Sequence, residues 1–456
     1  MRKIFVDCSY LSEHPELNTG IQRVVRRVIE NLEILSESNN FEIIPVNISN
    51  SKFVRVGIQN LYQQNEPQSA LGEQSTKVNY KTALKDYAKN LYKAVRTLIV
   101  ALLPHQKVKS FIFAPRDVFG LNYIVDSLFI KPLKLILNRR AVLQNTEEEN
   151  LIIQKDDILL LLDSTWYMNI WPTVKIAKES DAKIIAVIYD LIPITHSQFC
   201  DEFLVSVFKK WFYDSLNYVD GFITISNTVK KDLISFLDDE FGDRMRDKKF
   251  DYFLLGSDFN YDNMQELTIR DELNKMFEER PTYLIVCTVE PRKNHKYLLD
   301  VFDELWKQGI DVNLCIVGKV GWKVELIMNR INEHKLLNNK LFHFSNLNDE
   351  ELLYCYKHSK MLLFPSVVEG FGLPIVESMT NHLPVLASDT PIHREVGGDD
   401  IGYFNLDNTD DLVSQLIKIE KESIPEHMIP KSDYKWQDWY TSTKILFDKT
   451  IKMSQV

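Results

Sequence analysis

The chain has 456 residues, too many for one ordinary hydrophobic core, so its length predicts two domains of about 200 residues each. Its 45% apolar and 26% charged residues are typical of a soluble globular protein, and the net charge of −10 argues against a nucleic-acid partner. The five cysteines are scattered without a Cys-x-x-Cys pair, which disfavours a zinc site or a disulfide framework and indicates a reducing compartment.

The first half of the chain alternates between strand-like and helix-like patterns. MRKIFVDCSY carries the charge of a signal peptide without its apolar core, so we expect a first strand at KIFVDCSY. TGIQRVVRRVIENLEIL predicts a helix that begins just after Gly20, and FEIIPVNI predicts a second strand. DDILLLLD, KIIAVIYD and GFITIS are short apolar runs with polar ends, which favours parallel strands buried on both faces. SNTVKKDLISFL predicts a helix with Ser226 or Asn227 as its N-cap.

Residues 81–140 form a basic and apolar segment within this half. It contains twelve Lys and Arg residues against three Asp, in a chain whose net charge is −10. Apolar residues recur at helical spacing between Leu84 and Leu98. A basic amphipathic helix can lie on an anionic membrane surface, and the alternative is an ordinary helix with a solvated basic face. No apolar run approaches the roughly 18 residues of a membrane-spanning helix.

The second half repeats the alternation. PTYLIVCTV, VNLCIVG, LFHFS, KMLLFPS and LPVLAS predict strands, each followed by a helical stretch such as HKYLLDVFDELWKQG. Two such series predict an α/β protein with two doubly wound, Rossmann-like domains. We expect an N-terminal domain at 1–265, with a basic helical insert at about 55–150, and a C-terminal domain at 266–430. YKWQDWYTSTKILFDKTIKM predicts one long helix in the remaining residues 431–456.

The stretch FPSVVEGFGLPIVESMTNH places two carboxylates, Glu369 and Glu377, on either side of a Gly-Phe-Gly turn. KMLLFPS predicts a strand, and LPIVESMTNH a helix with Pro374 in its first turn. The backbone amides at the N-terminus of this helix would attract phosphate. These are the amides of Gly370, Phe371, Gly372 and Leu373. Because a carboxylate repels phosphate, Glu377 is expected on a ribose diol and Glu369 beyond the diphosphate. The alternative is that both acids only cap a loop.

Arg292 and Lys293 follow the first predicted strand of the second half, in CTVEPRKNHKYLL. They should lie at the same edge of the sheet as Glu369, because the carboxyl ends of parallel strands share one edge. Adjacent cations there can neutralise a diphosphate leaving group without a metal ion. The chain has no Asp-x-Asp, the usual sign of a metal-held diphosphate, so we expect no metal site. Two surface cations before a helix are the alternative.

Motifs along most of the chain resemble those of the family-4 retaining glycosyltransferases, which have the GT-B fold. They are TGIQRVVR, DLIPITH, ITISNTVKKDL, LGSDF, EPRKNHKYLL, IVGKVGW and FPSVVEGFGLPIVES, in that order, with residues 55–150 outside the likeness. Among these motifs, TGIQRVVR and IVGKVGW look most like those of bacterial O-antigen and capsule mannosyl- or rhamnosyltransferases. The resemblance implies two domains facing across a cleft and a terminal helix, around Trp436, that crosses back onto the N-terminal domain.

The resemblance also implies roles for the site residues. Glu377 would hold the ribose, Glu369 and the following amides the donor sugar, and Arg292 with Lys293 the diphosphate. The implied donor is a substrate rather than a cofactor, GDP-mannose or dTDP-rhamnose, and the acceptor a glycan or a lipid-linked oligosaccharide. Such a protein would be cytoplasmic, and the basic segment would hold it on the inner face of the cell membrane.

The N-terminal half should carry the acceptor and the remaining polar groups of the cleft. Gly20 would let the backbone approach the donor phosphate, and Arg23 would add charge there unless it is only part of a helix start. Many relatives have His-Asp where this chain has Tyr-Asp190, so the proton-handling residue is not carried over directly. His196 in DLIPITH is our candidate for contact with the reacting centre, and Asp163 is a weaker one.

Two other classes of protein share part of this pattern. A sugar-nucleotide epimerase or a phosphorylase can have the same two-domain architecture without a separate acceptor cleft. A non-catalytic subunit of glycan assembly is the other alternative, and the intact set of acids and cations argues against it.

Overall fold

A computed structural model gives the structure of residues 2–17, 19–37, 41–49, 51–62, 150–245, 247–258 and 269–455. These residues contain two β-sheets, named here the N-terminal sheet and the C-terminal sheet. The basic segment 81–140, with its predicted amphipathic helix, lies outside the described residues.

The N-terminal sheet contains the strands of the first half of the chain. They are β1 (Arg2–Asp7), β2 (Phe41–Ser49), β3 (Lys52–Arg55), β4 (Asn150–Leu151), β5 (Ile158–Leu161), β6 (Lys183–Ile188), β7 (Gly221–Thr224) and β8 (Lys249–Tyr252). Their spatial order is β4-β3-β2-β1-β5-β6-β7-β8. The pairs from β2 through β1 to β8 are parallel, and only β3 and β4 at one edge pair antiparallel among the described strands. Every residue of β5 and β7 is buried, as strands covered on both faces require.

The C-terminal sheet is entirely parallel over the described residues. Its strands are β9 (Thr282–Val286), β10 (Asn313–Val317), β11 (Leu341–Phe344), β12 (Met361–Phe364), β13 (Val385–Ser388) and β14 (Gly402–Phe404). Their order is β11-β10-β9-β12-β13-β14. The chain order reverses between β9 and β12, so the loops after these neighbouring strands flank a crevice where ligands bind in doubly wound sheets.

Helices connect the strands in both halves. They are α1 (Ser9–Glu13), α2 (Gly20–Glu37), α3 (Trp171–Glu179), α4 (Ile192–Thr195), α5 (Glu202–Tyr218), α6 (Asn227–Phe241), α7 (Asp271–Glu279), α8 (His295–Lys307), α9 (Glu325–Asn332), α10 (Asp349–His358), α11 (Leu373–Thr380), α12 (Pro391–Gly397), α13 (Asp410–Lys421) and α14 (Trp439–Ser454).

Three local predictions are confirmed by these elements. Helix α2 begins at Gly20. Ser226 is the N-cap of α6, since its side chain accepts a hydrogen bond from the Val229 N–H. Pro374 lies in the first turn of α11, where the absence of its N–H leaves no helical bond unmade.

Two predicted boundaries are wrong, and an aspartate that accepts hydrogen bonds from the residues after it explains each. The strand predicted at KIFVDCSY ends at Asp7, whose carboxylate accepts hydrogen bonds from the Ser9 N–H and hydroxyl and turns the chain into α1. The terminal helix begins at Trp439 instead of near Tyr434, because Asp438 is its N-cap and accepts from the Thr441 N–H.

Helix α14 returns to the N-terminal sheet. It packs against α2, and its Lys449 forms a 2.6 Å ion pair with Asp251 of β8. Just before the helix, Trp436 donates a 2.7 Å hydrogen bond to the Leu255 carbonyl. Gly256 lies so close to this segment that a Cβ would be 2.6 Å from the Trp439 Cα. Among the described helices, none is both long and apolar enough to cross a bilayer.

Candidate functional site

The turn between β12 and α11 is built on two glycines. Gly372 is the N-cap of α11 and has a φ of 99°, a left-handed conformation that glycine adopts without a steric penalty. Gly370 lies against the N-terminal half, where a Cβ would come within 2.3 Å of the Tyr189 carbonyl oxygen. The Ser226 hydroxyl donates a 3.0 Å hydrogen bond to the Gly370 carbonyl. The two halves therefore meet at this turn, which has no room for a side chain at Gly370.

Glu369 precedes the turn and lies between Arg292 and Lys293, which follow β9. Arg292 Nη1 donates to Glu369 Oε2 at 2.6 Å, and Lys293 Nζ donates to Oε1. The Glu369 side chain is only 7% exposed. Burial alone would raise the pKa of Glu369, but the charges of Arg292 and Lys293 outweigh burial and hold that pKa well below its ordinary value. The three residues that the sequence predicted at one sheet edge are in direct contact.

Two further acids complete this cluster, Glu290 and Asp190. Glu290 Oε1 lies 2.7 Å from Arg292 Nη2, and Asp190 accepts a 3.0 Å hydrogen bond from the Ile192 N–H. Burial raises the pKa of both acids, and Arg292 opposes that rise. Both carboxylates therefore take up a proton more readily than exposed ones. In the described part of the chain, no three His, Cys, Asp or Glu side chains are grouped so that they could hold a metal ion.

Glu377 is part of a second contact between the halves. Arg23 Nη2, on α2, donates to Glu377 Oε1 at 2.9 Å, and the Tyr356 hydroxyl donates to Oε2 at 2.8 Å. The Glu377 side chain is 3% exposed, whereas that of Arg23 is 37% exposed. The charge of Glu377 raises the pKa of Arg23, so the guanidinium stays protonated. The structure thus brings together two predicted donor-binding residues from opposite halves.

The remaining predicted donor-binding residues include Phe371, Leu373 and Gly20. Phe371 is buried and packs edge-on against Trp436 at 6.1 Å between ring centroids, while Leu373 is partly buried at the start of α11. Nothing lies within 4 Å of a Cβ at Gly20, so the space that a close ligand would need is open there.

His196 contacts neighbouring residues of its own loop. Its Nδ1 lies 2.9 Å from the Thr195 hydroxyl, and its ring is nearly parallel to that of Phe199. Burial raises the pKa of Asp232 on α6, and the His196 ring partly opposes that shift, which places the imidazole toward α6. The role of His196 at the reacting centre stays a prediction.

Asp163 forms a buried acid pair with Asp7 at the carboxyl ends of β5 and β1. Its Oδ2 accepts a 2.6 Å hydrogen bond from the Leu11 N–H, and its Oδ1 accepts one of 2.7 Å from the Ser164 N–H. Burial raises the pKa of Asp163 to about 6, and burial with the charge of Asp163 raises that of Asp7 to about 7. These bonds support the loops after both strands, which is a structural role rather than contact with the cluster.

The loop after β10, in the motif IVGKVGW, bridges the two halves. Trp322 Nε1 donates a 2.9 Å hydrogen bond to the Phe199 carbonyl, and Lys323 Nζ donates one of 2.5 Å to the Cys200 carbonyl. A cavity of about 410 Å³ adjoins this loop. Its lining carries charges of both signs, including Glu290, Lys296, Lys323 and Arg330.

Sequence reasoning missed four residues of the site: Glu290, Tyr356, Ser226 as a partner of Gly370, and Glu395. Glu395 accepts hydrogen bonds at 2.7 Å from the Asn227 and Thr228 N–H groups, across the boundary between the halves. Glu290 could have been found, because it directly precedes Pro291 and Arg292 in the same motif. Ser226 lies in the motif ITISNTVKKDL, but nothing local marks it as a partner of Gly370, and Tyr356 and Glu395 lie outside the motifs.

The C-terminal half is similar to a known protein family. Residues 268–436 match the family model described as "Glycosyl transferases group 1". Over these residues the chain is similar to the group 1 glycosyltransferases. The match contains Arg292, Lys293, Glu369 and Glu377, so the acids and cations described above lie inside the family domain.

Two curated relatives are mannosyltransferases. The serotype-specific mannosyltransferase WbdA of Escherichia coli is 28% identical over 312 residues, which is 66% of this chain and 37% of that protein. The O-antigen chain mannosyltransferase RfbU of Salmonella typhimurium is 22% identical over 276 residues, which is 56% of this chain and 70% of RfbU. The chain thus spans little more than a third of the length of WbdA.

The fold is also similar to that of a solved structure. Sucrose-phosphate synthase of Thermosynechococcus elongatus superposes with a TM-score of 0.53 at 12% identity, covering 100% of this chain and 98% of that one. Together with the two parallel sheets, this likeness confirms the predicted GT-B architecture of two Rossmann-like domains. The expected boundaries near residues 265 and 430 remain predictions.

Proposed function

We propose that this protein transfers a sugar from a nucleotide diphosphate donor to a growing surface polysaccharide, with retention of anomeric configuration. Mannose is the preferred sugar, because both relatives described above are mannosyltransferases, and rhamnose is the second. The donors to test are therefore GDP-mannose and dTDP-rhamnose. The acceptor is a glycan or a lipid-linked oligosaccharide.

The buried cluster of Arg292, Lys293 and Glu369 is the observation that carries this proposal. Two cations and a carboxylate converge beside the N-terminus of α11, which also attracts negative charge. In a site shielded from water, such cations stabilise the charge that develops on a departing diphosphate. No metal ion is required for this step, so the proposed reaction is metal-independent.

The present ion pairs suggest how the donor would enter. Both cations now contact carboxylates, so a diphosphate would compete with Glu369 and Glu290 for them. Uptake of a proton by Glu290 or Asp190 would remove part of this competition, and burial already raises the pKa of both acids. Glu369 would then be available to the donor sugar, and Glu377 to the ribose.

A lipid-linked acceptor would place the reaction at a membrane. We propose that the protein works at the inner face of the cell membrane and is held there by the basic segment 81–140. Its twelve Lys and Arg residues against three Asp support this proposal, since anionic lipid attracts such a segment.

The test is to incubate the purified protein with GDP-mannose, dTDP-rhamnose or UDP-glucose, each with and without a lipid-linked acceptor. The proposal expects nucleoside diphosphate to be released fastest with one of the first two donors and only when acceptor is present. NMR of the product should show the donor's anomeric configuration, and EDTA should leave the rate unchanged. Release that does not depend on acceptor would instead indicate an epimerase or phosphorylase, and no turnover of any donor would indicate a non-catalytic subunit.

A further inference from the structure

Three aromatic side chains follow three neighbouring strands of the N-terminal sheet. Tyr10 lies on α1 after β1, Tyr167 lies in a short turn after β5, and Phe203 lies at the start of α5 after β6. Because β1, β5 and β6 are adjacent and parallel, their carboxyl ends share one edge of the sheet. The ring centroids of Tyr10 and Tyr167 are 5.6 Å apart, and those of Tyr167 and Phe203 are 6.2 Å apart. These residues are named here the aromatic row.

The aromatic row is exposed to solvent. Phe203 is 65% exposed and Tyr167 is 45% exposed, and Tyr10 is partly buried. The planes of Tyr167 and Phe203 differ by only 25°. Burying rings of this size is strongly favourable, so adjacent exposed rings on a soluble protein indicate a surface that binds something.

One end of the row lies next to a contact between the two halves. Phe203 follows the segment whose Phe199 and Cys200 carbonyls accept hydrogen bonds from Trp322 and Lys323 of the opposite half. Burial raises the pKa of the Cys200 thiol to about 11, and the charges of Asp190 and Arg292 also act on this thiol. The row therefore extends outward from the place where Asp190 and Arg292 lie.

We propose that the aromatic row is a subsite for the acceptor glycan, which binds with its sugar rings against the rings of Tyr10, Tyr167 and Phe203. This inference rests on the proposed function and names where its acceptor chain lies. Sugars offer apolar C–H faces between hydroxyl groups, and the row offers aromatic faces next to polar groups. Tyr10 and Tyr167 carry hydroxyls, and His14, whose ring lies 4.7 Å from that of Tyr10, is 3.5 Å from the Glu16 carboxylate. A lipid chain would favour a continuous apolar groove, which these polar groups interrupt.

The test measures binding without turnover, so it does not depend on the donor. α-Linked manno-oligosaccharides of one to five residues are titrated into the wild type, the double variant Tyr167→Ala/Phe203→Ala and the control Tyr440→Ala. Tyr440 is a similarly exposed tyrosine, 41% exposed, on the terminal helix α14. Wild-type affinity should rise with chain length. For the longest glycan, the affinity of the double variant should fall by roughly tenfold for each aromatic ring that is removed. Each ring covers ~50 Å² of apolar surface.

Three results support the inference together. The control binds like the wild type, Phe203→Trp retains the dependence on length, and GDP binding is equal in all variants, which also shows that they are folded. Equal affinity of the wild type and the double variant for the longest glycan would overturn it, as would wild-type affinity that does not depend on length. Failure of the proposed function is a separate outcome, in which the wild type turns over no sugar nucleotide whether or not it binds glycans.

Discussion

At the scale of single residues, the pairing of Arg292 and Lys293 with Glu369 leads to the first prediction. Arg292→Ala or Lys293→Ala should lower turnover by about 10², or about 2–4 kcal/mol, because each removes a cation that would stabilise the leaving diphosphate. Lys296→Ala is the matched control, since this nearby lysine is 76% exposed and pairs with Asp300 at the surface. Steady-state rates of nucleoside diphosphate release measure the effect. Near-normal turnover in both site variants would refute the assignment.

Substitutions of the two glutamates around the glycine turn should have different effects on nucleoside diphosphate affinity. Glu377→Ala should weaken nucleoside diphosphate binding by roughly 1.5–3 kcal/mol, the contribution of a hydrogen bond to a charged group. Glu369→Ala should not weaken this affinity, because it removes a carboxylate that competes with the diphosphate for Arg292 and Lys293, and it should lower the rate of transfer. Calorimetry with GDP measures both affinities. The proposed roles are reversed if Glu369→Ala weakens binding more than Glu377→Ala does.

The buried pair of Asp7 and Asp163 should make stability depend on pH. The pKa of Asp7 is raised to about 7 and that of Asp163 to about 6, so the folded protein binds more protons than the unfolded chain from about pH 4 to 7. The free energy of unfolding should therefore fall as the pH rises through this range. Asp7→Asn removes one of the two charges, while its amide oxygen can still accept from Ser9.

Urea unfolding at about pH 5 and about pH 8 tests this expectation. At the higher pH, Asp7→Asn should be more stable than the wild type by roughly 2–4 kcal/mol. Its free energy of unfolding should also change less between the two pH values than that of the wild type. Asp239→Asn, a change at an exposed position of α6, is the control and should follow the wild type. An Asp7→Asn protein with the wild-type pH dependence would show that the pair is not the cause.

At the scale of secondary-structure elements, the N-terminus of α6 joins the two halves. Ser226 caps the helix from within, and the Glu395 carboxylate of α12 accepts from the Asn227 and Thr228 N–H groups and from the Thr228 hydroxyl. A carboxylate at this end of a helix also interacts favourably with the helix dipole. This contact is therefore a principal polar attachment of the C-terminal half to the N-terminal half.

Glu395→Ala should lower the free energy of unfolding by about 1–3 kcal/mol, because three hydrogen bonds to a charged group are lost. Glu395→Gln should lose less, since the amide oxygen still accepts. Arg394→Ala is the control on the same helix, where the side chain pairs with Asp389 at the surface. Denaturant unfolding gives the stabilities, and small-angle scattering compares the separation of the halves. Equal stability of Glu395→Ala and Arg394→Ala would contradict the proposed attachment.

At the scale of the whole molecule, charge is distributed unevenly along the chain. The basic segment 81–140 lies outside the described residues, and its membrane role remains a prediction from sequence. Changing Lys85, Lys89, Lys93 and Arg96 together to Gln should release the protein from anionic vesicles. The free energy of vesicle binding should weaken by roughly 4 kcal/mol at most. Raising the salt should reproduce part of that loss, because surface attraction is screened over about 10 Å at 0.1 M.

Vesicle flotation at low salt measures this binding. Activity on a short soluble acceptor should be unchanged in the quadruple variant, since the proposed site contains none of these four residues. If the variant and the wild type float equally well, the segment is not a membrane-binding surface.

The sequence by itself determined the elements and the local part of the site. Alternating apolar runs predicted the parallel strands, and Gly, Pro and Ser at the correct positions predicted the starts of α2, α6 and α11. Arg292, Lys293 and Glu369 were predicted to meet because all three follow strands of one parallel sheet, whose carboxyl ends share an edge. Predictions of this kind succeed because they depend on contacts within one element or between neighbouring strands.

Only the tertiary structure decided the contacts between the two halves. The pairing of Arg23 with Glu377, the bond from Ser226 to Gly370 and the cap from Glu395 join residues more than 140 positions apart. The role of His196 stays a prediction, because its contacts with Thr195 and Phe199 are local and do not test a place at the reacting centre. Periodicity and capping signals act over a few residues, whereas the approach of two sheets depends on the packing of both, and no short stretch of sequence contains that information.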